Sequence, residues 1–328
     1  MDKLISKYIK QLEEAIIISD NTKIDFHTEK INKVFIAGMG GSGIAGQFAA
    51  EIMKLYGTVP VIISNGYDIP YWIDNNTLAI VSSYSGNTEE TISSFEKLLE
   101  KDCKIVVISS GGKLLENALK LNLDYIKLPD DWPAPRACFG YSFVAQLYIL
   151  FKLELLKIDL SKELSASLEL LVSEQDNIRS QAKEIGIRLV DKIPLIYAGN
   201  VLSPVSTRLK QQLNENSKTL AFTNTIPEMN HNELVGWSKK YSNLAVVIIR
   251  SELYSERINK RIDLSKEIII KYVDTMVEIE AKGARLLLQM LYLVNLVDWI
   301  SWYIASSKGI DAMEIKNIDY LKSQLAKI

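Results

Sequence analysis

The chain has 328 residues, of which 48% are hydrophobic and 24% charged, and a formal net charge of -2. That length accommodates two domains, and the composition is that of a soluble globular protein without the basic field that attracts nucleic acid. Its 2 Cys and 2 His are too few for a disulfide framework, a thiolate metal site or a histidine-rich metal cluster.

Taken in order, Met1-Asp2-Lys3-Leu4 is charged and lacks the apolar core of a signal peptide. Leu4, Tyr8, Leu12 and Ile16 recur at helical spacing, which predicts an amphipathic helix to about Asp20. His27 reads as a surface residue. Val34-Phe35-Ile36-Ala37 is a short buried strand that runs into Gly38-Met39-Gly40-Gly41-Ser42-Gly43 and a helix to about Tyr56. Further strands are expected at Val59-Pro60-Val61-Ile62-Ile63, at 78–81 and at 105–108, with helical segments between most of them. Such alternation implies a parallel sheet covered on both faces. From about 143 to 190 the pattern is mainly helical, with Leu153, Leu156, Leu164, Leu168 and Leu171 recurring.

Pro194-Leu195-Ile196-Tyr197-Ala198-Gly199 then repeats the first strand and its glycine. Ser203-Pro204 reads as a cap and first turn, with Val205, Leu209 and Leu213 as the buried stripe. Residues 244–249 form another core strand, and Ile268-Ile269-Ile270 a further one. Residues 286–305 are strongly apolar, but a membrane span would bury Gln289, Asn295 and Asp298 in lipid. A core or interface helix is expected instead, in a cytoplasmic protein with no membrane contact. Ser306, Lys308 and Gly309 end that helix, and a short helix from about Ile318 closes the chain. The second half therefore echoes the first. The expectation is an α/β protein of two similar domains, residues 1–155 and 156–328.

The Gly38-to-Gly43 segment satisfies the G-x-G-x-x-G pattern of a dinucleotide turn. A ribose-binding acid should then end the next strand, yet Ser64-Asn65 stands there and Asp68 lies further on, which argues against NAD. Tight helix–sheet packing accounts for some of the glycines, and Ser42 is left to offer its hydroxyl from the turn. The most specific signal is Ser82-Ser83-Tyr84-Ser85-Gly86-Asn87-Thr88-Glu89-Glu90-Thr91. An apolar strand leads in, and Ile92, Phe95, Leu98 and Leu99 lead out at helical spacing. One hydroxyl would cap the helix, but four at Ser82, Ser83, Ser85 and Thr88 exceed that need. Beside the free N–H groups of a helix start they form a cradle for a phosphate dianion. Glu89 and Glu90 favour the helix dipole and carry no assigned chemistry.

In Trp132-Pro133-Ala134-Pro135-Arg136 two prolines stiffen a loop. Arg136 is there either a surface residue or a fixed cation facing a ligand. Glu215, in Asn214-Glu215-Asn216-Ser217-Lys218, lies off the buried stripe and near a helix C-terminus, where a carboxylate opposes the dipole unless Lys218 offsets it. His231, in Asn230-His231-Asn232-Glu233, sits in a polar loop and is either structural or an acid/base of neutral pH. Cys138 has no reading.

Through Gly40-Gly41-Ser42-Gly43, the Ser83–Thr88 turn, Pro135-Arg136 and the Glu215 and His231 segments, the chain resembles the bifunctional phosphoglucose/phosphomannose isomerases over most of its length. These are two-domain members of the phosphoglucose isomerase superfamily. The resemblance implies two sugar isomerase (SIS) domains, each an α-β-α sandwich with a mainly parallel sheet. It implies a cofactor- and metal-free isomerase exchanging glucose 6-phosphate and mannose 6-phosphate with fructose 6-phosphate. Ser42, Ser83, Ser85 and Thr88 would hold the phosphate, and the backbone of Gly41 would meet the substrate. Glu215 would carry a proton between C2 and C1, and Arg136 would stabilise the enediolate. His231 would open the sugar ring from the partner subunit of a homodimer. Lys322 would assist, with Lys316 as the alternative. The active site would lie between the domains. A non-catalytic SIS-domain sugar-phosphate sensor is the other reading, but it has no use for Glu215, His231 and Arg136. An amino-sugar synthase half would need a glutaminase domain with an N-terminal cysteine, and Cys103 and Cys138 lie far from the start.

Overall fold

The computed structural model describes residues 1–24 and 31–327, so His27 lies outside the described residues. In chain order the elements are α1 (Asp2–Ile5), α2 (Tyr8–Asn21), β1 (Lys33–Ala37), α3 (Gly40–Tyr56), β2 (Val61–Ser64), β3 (Thr77–Ser82), α4 (Glu89–Leu99), β4 (Lys104–Ser109), α5 (Gly112–Lys120) and β5 (Asp124–Lys127). There follow α6 (Phe139–Lys152), α7 (Leu160–Leu189), β6 (Ile193–Gly199), α8 (Ser203–Ser217), β7 (Phe222–Ile226), β8 (Leu244–Arg250), α9 (Glu256–Ile269), β9 (Thr275–Glu280), α10 (Leu286–Ser307) and α11 (Lys316–Leu325). The chain divides into two compact units. One is Ser6–Val172 with Leu286–Leu288; the other is Met1–Ile5, Ser173–Arg285 and Gln289–Ile328. The division falls inside α7, a single helix of 30 residues, so no Pro- or Gly-rich linker marks it.

The first of these, the N-terminal unit, holds a parallel sheet in the order β2-β1-β3-β4-β5. A parallel strand covered on both faces reads as an unbroken apolar run, and β3 is buried along its whole length. Phe35, Ala37, Ala79, Val81 and Val107 alternate onto one face, where Phe95 and Leu98 of α4 and Leu114 and Ala118 of α5 cover them. Each such large side chain contributes about 1.5–3 kcal/mol when fully buried. α3 lies so close to β1 that a methyl group on Gly46 would stand 3.1 Å from Ile36 Cγ2. Phe48 of α3 meets Phe139 and Phe143 of α6 at ring-centre distances of 4.9 and 5.6 Å.

The C-terminal unit repeats the plan with the order β7-β6-β8-β9, again all parallel. Val205, Leu209 and Leu213 of α8 are fully buried, as their spacing predicts. Two expectations need correction. Ser203 does not cap α8: it is the first helical residue, and no side chain caps that end. The strand expected at Ile268-Ile269-Ile270 is the end of α9, whose buried side is Ile262, Ser265 and Ile269 at helical spacing. Ile268 and Ile270 are exposed, and the strand comes later, as β9. β5, a four-residue edge strand with polar ends, was not expected at all.

α10 is long and apolar enough to cross a membrane by composition, but 89% of its most apolar stretch is buried in the protein. Its polar side chains meet partners there, as buried polar groups must. Asp298 accepts from Arg208 Nε at 2.9 Å, Arg208 Nη2 at 2.6 Å and Gln212 Nε2 at 2.8 Å. Asn216 Nδ2 donates to Ser301 Oγ at 2.9 Å, and Gln289 Oε1 accepts from Ser251 Oγ at 2.6 Å. Burial pushes the Asp298 carboxyl up, and the Arg208 guanidinium pulls against it. Removing one member of such a pair strands the other without compensation. Asp298→Ala should therefore lower stability by about 3–5 kcal/mol, while Arg208→Met/Asp298→Leu should recover most of the loss. Urea unfolding checks this, and a single variant as stable as the parent would contradict it.

Candidate active site

In the N-terminal unit the chain leaves β1 for β2 on one side, while β3 and β4 continue on the other. The carboxyl ends of β1 and β3 are therefore neighbours at the point where the strand order reverses, the usual ligand crevice of an open α/β sheet. The glycine segment follows β1 and the hydroxyl turn follows β3, so the topology brings the two sequence signals to one place.

The turn is tightly folded. Ser83 N–H donates to Ile108 O at 3.0 Å, and Gly86 N–H reaches Ser83 O at 3.1 Å and Ser83 Oγ at 3.2 Å. Gly86 has φ +67° and lies against the Gly111 carbonyl, so no side chain fits there. Ser83 Oγ and Thr88 Oγ1 stand 2.9 Å apart, and Ser85 Oγ accepts from Asn87 N–H at 3.3 Å. Thr88 holds the N-cap position of α4 with extended backbone, yet its hydroxyl caps nothing. α3 likewise begins without a side-chain cap, and Ser42 in its first turn is buried, with Oγ 3.5 Å from Ser142 Oγ. Two helix N-termini thus start without side-chain caps, and the hydroxyls of Ser83 and Thr88 pair beside the start of α4. Ser82 is different: its hydroxyl is fully buried at the end of β3, among the atoms without a partner.

Arg136 sits in a short 3-10 helix, Pro135–Ala137, and is only 7% exposed. The surface alternative is thereby overturned: the prolines fold the loop inward rather than holding the arginine out. A methyl group on Gly41 would stand 3.1 Å from Pro135 O and 3.6 Å from Arg136 Cα, so the glycine segment and the Arg136 loop touch. The first turn of α5 also supports the hydroxyl turn. Asn87 Oδ1 accepts from Lys113 N–H at 3.1 Å, and Leu114 N–H donates to Gly86 O at 3.0 Å. Sequence reasoning missed this prop; its signal is the Gly111-Gly112 pair between a strand and a helix.

In the C-terminal unit, Glu215 lies in the last turn of α8 and is half-buried. Arg208, Gln212 and Asn216 of the same helix bond α10, which fixes the helix rotation. Glu215 lines a cavity of about 370 Å³ with Asn214, Lys218, Thr219 and residues 314–318. Lys218 closes α8 in the left-handed region, φ 51°, and its Nζ donates to the carbonyls of Glu215 (2.8 Å), Asp311 (2.9 Å) and Glu314 (2.7 Å). A cation at the helix's negative end offsets the dipole that Glu215 opposes. Lys316 lines the same cavity and pairs with Glu314 at 3.0 Å; Lys322 is exposed on α11 and is not among the lining residues. His231 is exposed at the end of a 3-10 helix, Glu228–His231, after β7. The nearby Glu233 accepts from the Tyr197 hydroxyl and from Asn224 Nδ2 at 2.6 Å, which anchors that loop to the sheet.

The C-terminal unit has its own strand reversal, between β6 and β8, where an aromatic ring lines the crevice. Gly199 N–H donates to Tyr254 Oη at 3.0 Å, and a methyl group on Gly199 would strike the ring at 2.7 Å. Here the helix start is also capped: Ser255 Oγ accepts from Ile258 N–H at 3.4 Å.

Residues 28–150 match the SIS domain family, and residues 178–325 match the bacterial phospho-glucose isomerase C-terminal SIS domain. A protein of Caldicellulosiruptor bescii named bifunctional phosphoglucose/phosphomannose isomerase is 35% identical over 97% of each chain. One of the same name from Aquifex aeolicus is 32% identical over 96% of this chain and 99% of its own. The chain belongs to this family. As a bifunctional phosphoglucose/phosphomannose isomerase family member it is an isomerase built on two SIS-type α/β units. Among solved structures, the C-terminal domain of glucosamine-fructose-6-phosphate aminotransferase from Francisella tularensis shares the fold, with a TM-score of 0.78 at 18% identity over 95% of this chain and 96% of that one.

The contrast between the two helix starts gives a direct expectation. Ser255→Ala should destabilise the protein by about 1 kcal/mol, as loss of a working cap does, whereas Thr88→Val should change it by less than about 0.5 kcal/mol. Thermal melts of the two variants check this; a Thr88→Val loss as large as that of Ser255→Ala would mean that Thr88 does cap.

Proposed function

We propose that this isomerase interconverts glucose 6-phosphate and mannose 6-phosphate with fructose 6-phosphate by proton transfer through an enediolate. The observation that carries the reading is the uncapped hydroxyl turn at the N-terminal strand reversal. Hydroxyls of Ser83, Ser85 and Thr88, with Ser42 and the Gly41 backbone, are placed to receive a phosphate dianion at two helix N-termini. The family supplies the substrate class, since relatives covering nearly the whole chain bear the name of both activities.

In this scheme the phosphate anchors the open-chain aldose, and the Glu215 carboxylate takes the proton from C2. Electrons from the C2–H bond form the C1–C2 double bond, and charge develops on O1. Arg136 stabilises that oxygen, the O2 proton passes to O1, and Glu215 returns its proton to C1. The product is the ketose, and atoms and charge balance. Because both C2 epimers yield one enediolate, both aldose phosphates are substrates. His231 opens and closes the ring; its exposure supports service across a homodimer interface to a partner subunit. Lys322 assists ring opening. The enzyme acts in the cytoplasm.

Purified protein in the presence of a chelator should interconvert all three sugars, and failure to do so refutes the assignment. Deuterium at C2 should be partly lost to solvent, whereas complete retention would point to hydride transfer. Glu215→Gln should fold normally and lose at least about 10²-fold in kcat, the lower range for a general base. Substantial turnover in that variant would remove Glu215 from its role.

A further inference from the structure

We propose that Tyr84 is a positioning residue that ties the phosphate turn to the loop carrying Arg136. Tyr84 lies inside the turn, between Ser83 and Ser85, and is buried. Its backbone is fixed, because its carbonyl accepts from Ser110 N–H at 2.9 Å and from Ser110 Oγ at 2.6 Å. Its side chain crosses to the Arg136 loop, where the hydroxyl accepts from Trp132 N–H at 3.3 Å. Cys138 Sγ donates to Ala134 O at 3.5 Å, a bond within the same loop. The phenol therefore holds the start of the segment 132–138, which carries Arg136. Gly41 closes the other side against Pro135.

Burial pushes the phenol's pKa well above its ordinary value, so the hydroxyl stays neutral and keeps its bond across the physiological range. The turn that receives the phosphate and the loop that presents the cation are consequently one mechanical piece. Cys138, which has no reading from sequence, gains one as an internal tie of that loop, through its bond to Ala134 O. Phosphate binding needs the serine and threonine hydroxyls and not the phenol. A charge that develops at the sugar's first carbons needs Arg136 in register, and small misplacements are costly there, with about 10²-fold possible for a shift of ~1 Å.

The inference rests on the proposed reaction, and Tyr84→Phe, which removes only the hydroxyl, tests it. The expected result is a kcat lowered about tenfold or more, with KM and the inhibition constant of inorganic phosphate changed less than about threefold. In an Arg136→Ala background the same change should cost less than about twofold, because the two residues act as one unit. A kcat near the parent's, an equal loss of phosphate affinity, or a full effect that persists without Arg136 would each overturn the inference. Hydrogen exchange reads the loop without turnover. The Trp132 amide should exchange about tenfold faster in Tyr84→Phe, as expected for the loss of one hydrogen bond. Unchanged exchange overturns the inference even if the parent proves to catalyse another reaction, while an inactive parent with faster exchange refutes the reaction alone.

Discussion

The structure depends most on a helix start that is left unfinished. α4 begins at Glu89 with a threonine in the capping position, and that threonine turns its hydroxyl to Ser83 instead of to the helix. An ordinary cap would have satisfied an N–H group and contributed about 1 kcal/mol to stability. Leaving it open sacrifices that contribution and keeps donors available where the dipole favours an anion. Hydrogen bonds to a charged group contribute about 1.5–3 kcal/mol each, so a bound phosphate returns more than the missing cap. The surrounding structure maintains this arrangement: Gly86 makes the bend, the first turn of α5 backs it, and strand order places it beside the glycine segment.

The C-terminal unit shows the same plan put to another use. At its strand reversal Tyr254 lines the crevice and Ser255 caps α9. What this unit offers instead is α8. Val205, Leu209 and Leu213 face the sheet, Arg208, Gln212 and Asn216 bond α10, and Glu215 faces a cavity. A buried ion pair is a poor source of net stability, but it holds a helix in one rotation better than apolar contacts alone.

Much of this was legible in the residues. Parallel strands covered on both faces betray themselves as unbroken apolar runs, so β1, β3, β4, β6 and β8 were visible. Edge strands are half polar, and β5 was missed for that reason. The triple isoleucine at the end of α9 misled because a short apolar run has no period of its own; only its spacing from Ile262 identifies it as helix. The hydroxyl turn was visible because four hydroxyls exceed what a cap requires. Sequence could not tell how the four are disposed: Ser83 is buried and pairs with Thr88, Ser85 is exposed, and Ser82 ends a fully buried strand. Nor could it show that Arg136 is buried, in a loop that Gly41 approaches from a distant part of the chain.

The most direct test is a crystal structure of the protein with fructose 6-phosphate. The phosphate oxygens are expected within hydrogen-bond distance, about 3 Å, of the Ser83, Ser85 and Thr88 hydroxyls and the first N–H groups of α4. A phosphate found elsewhere, with that turn occupied by water alone, would contradict the central claim.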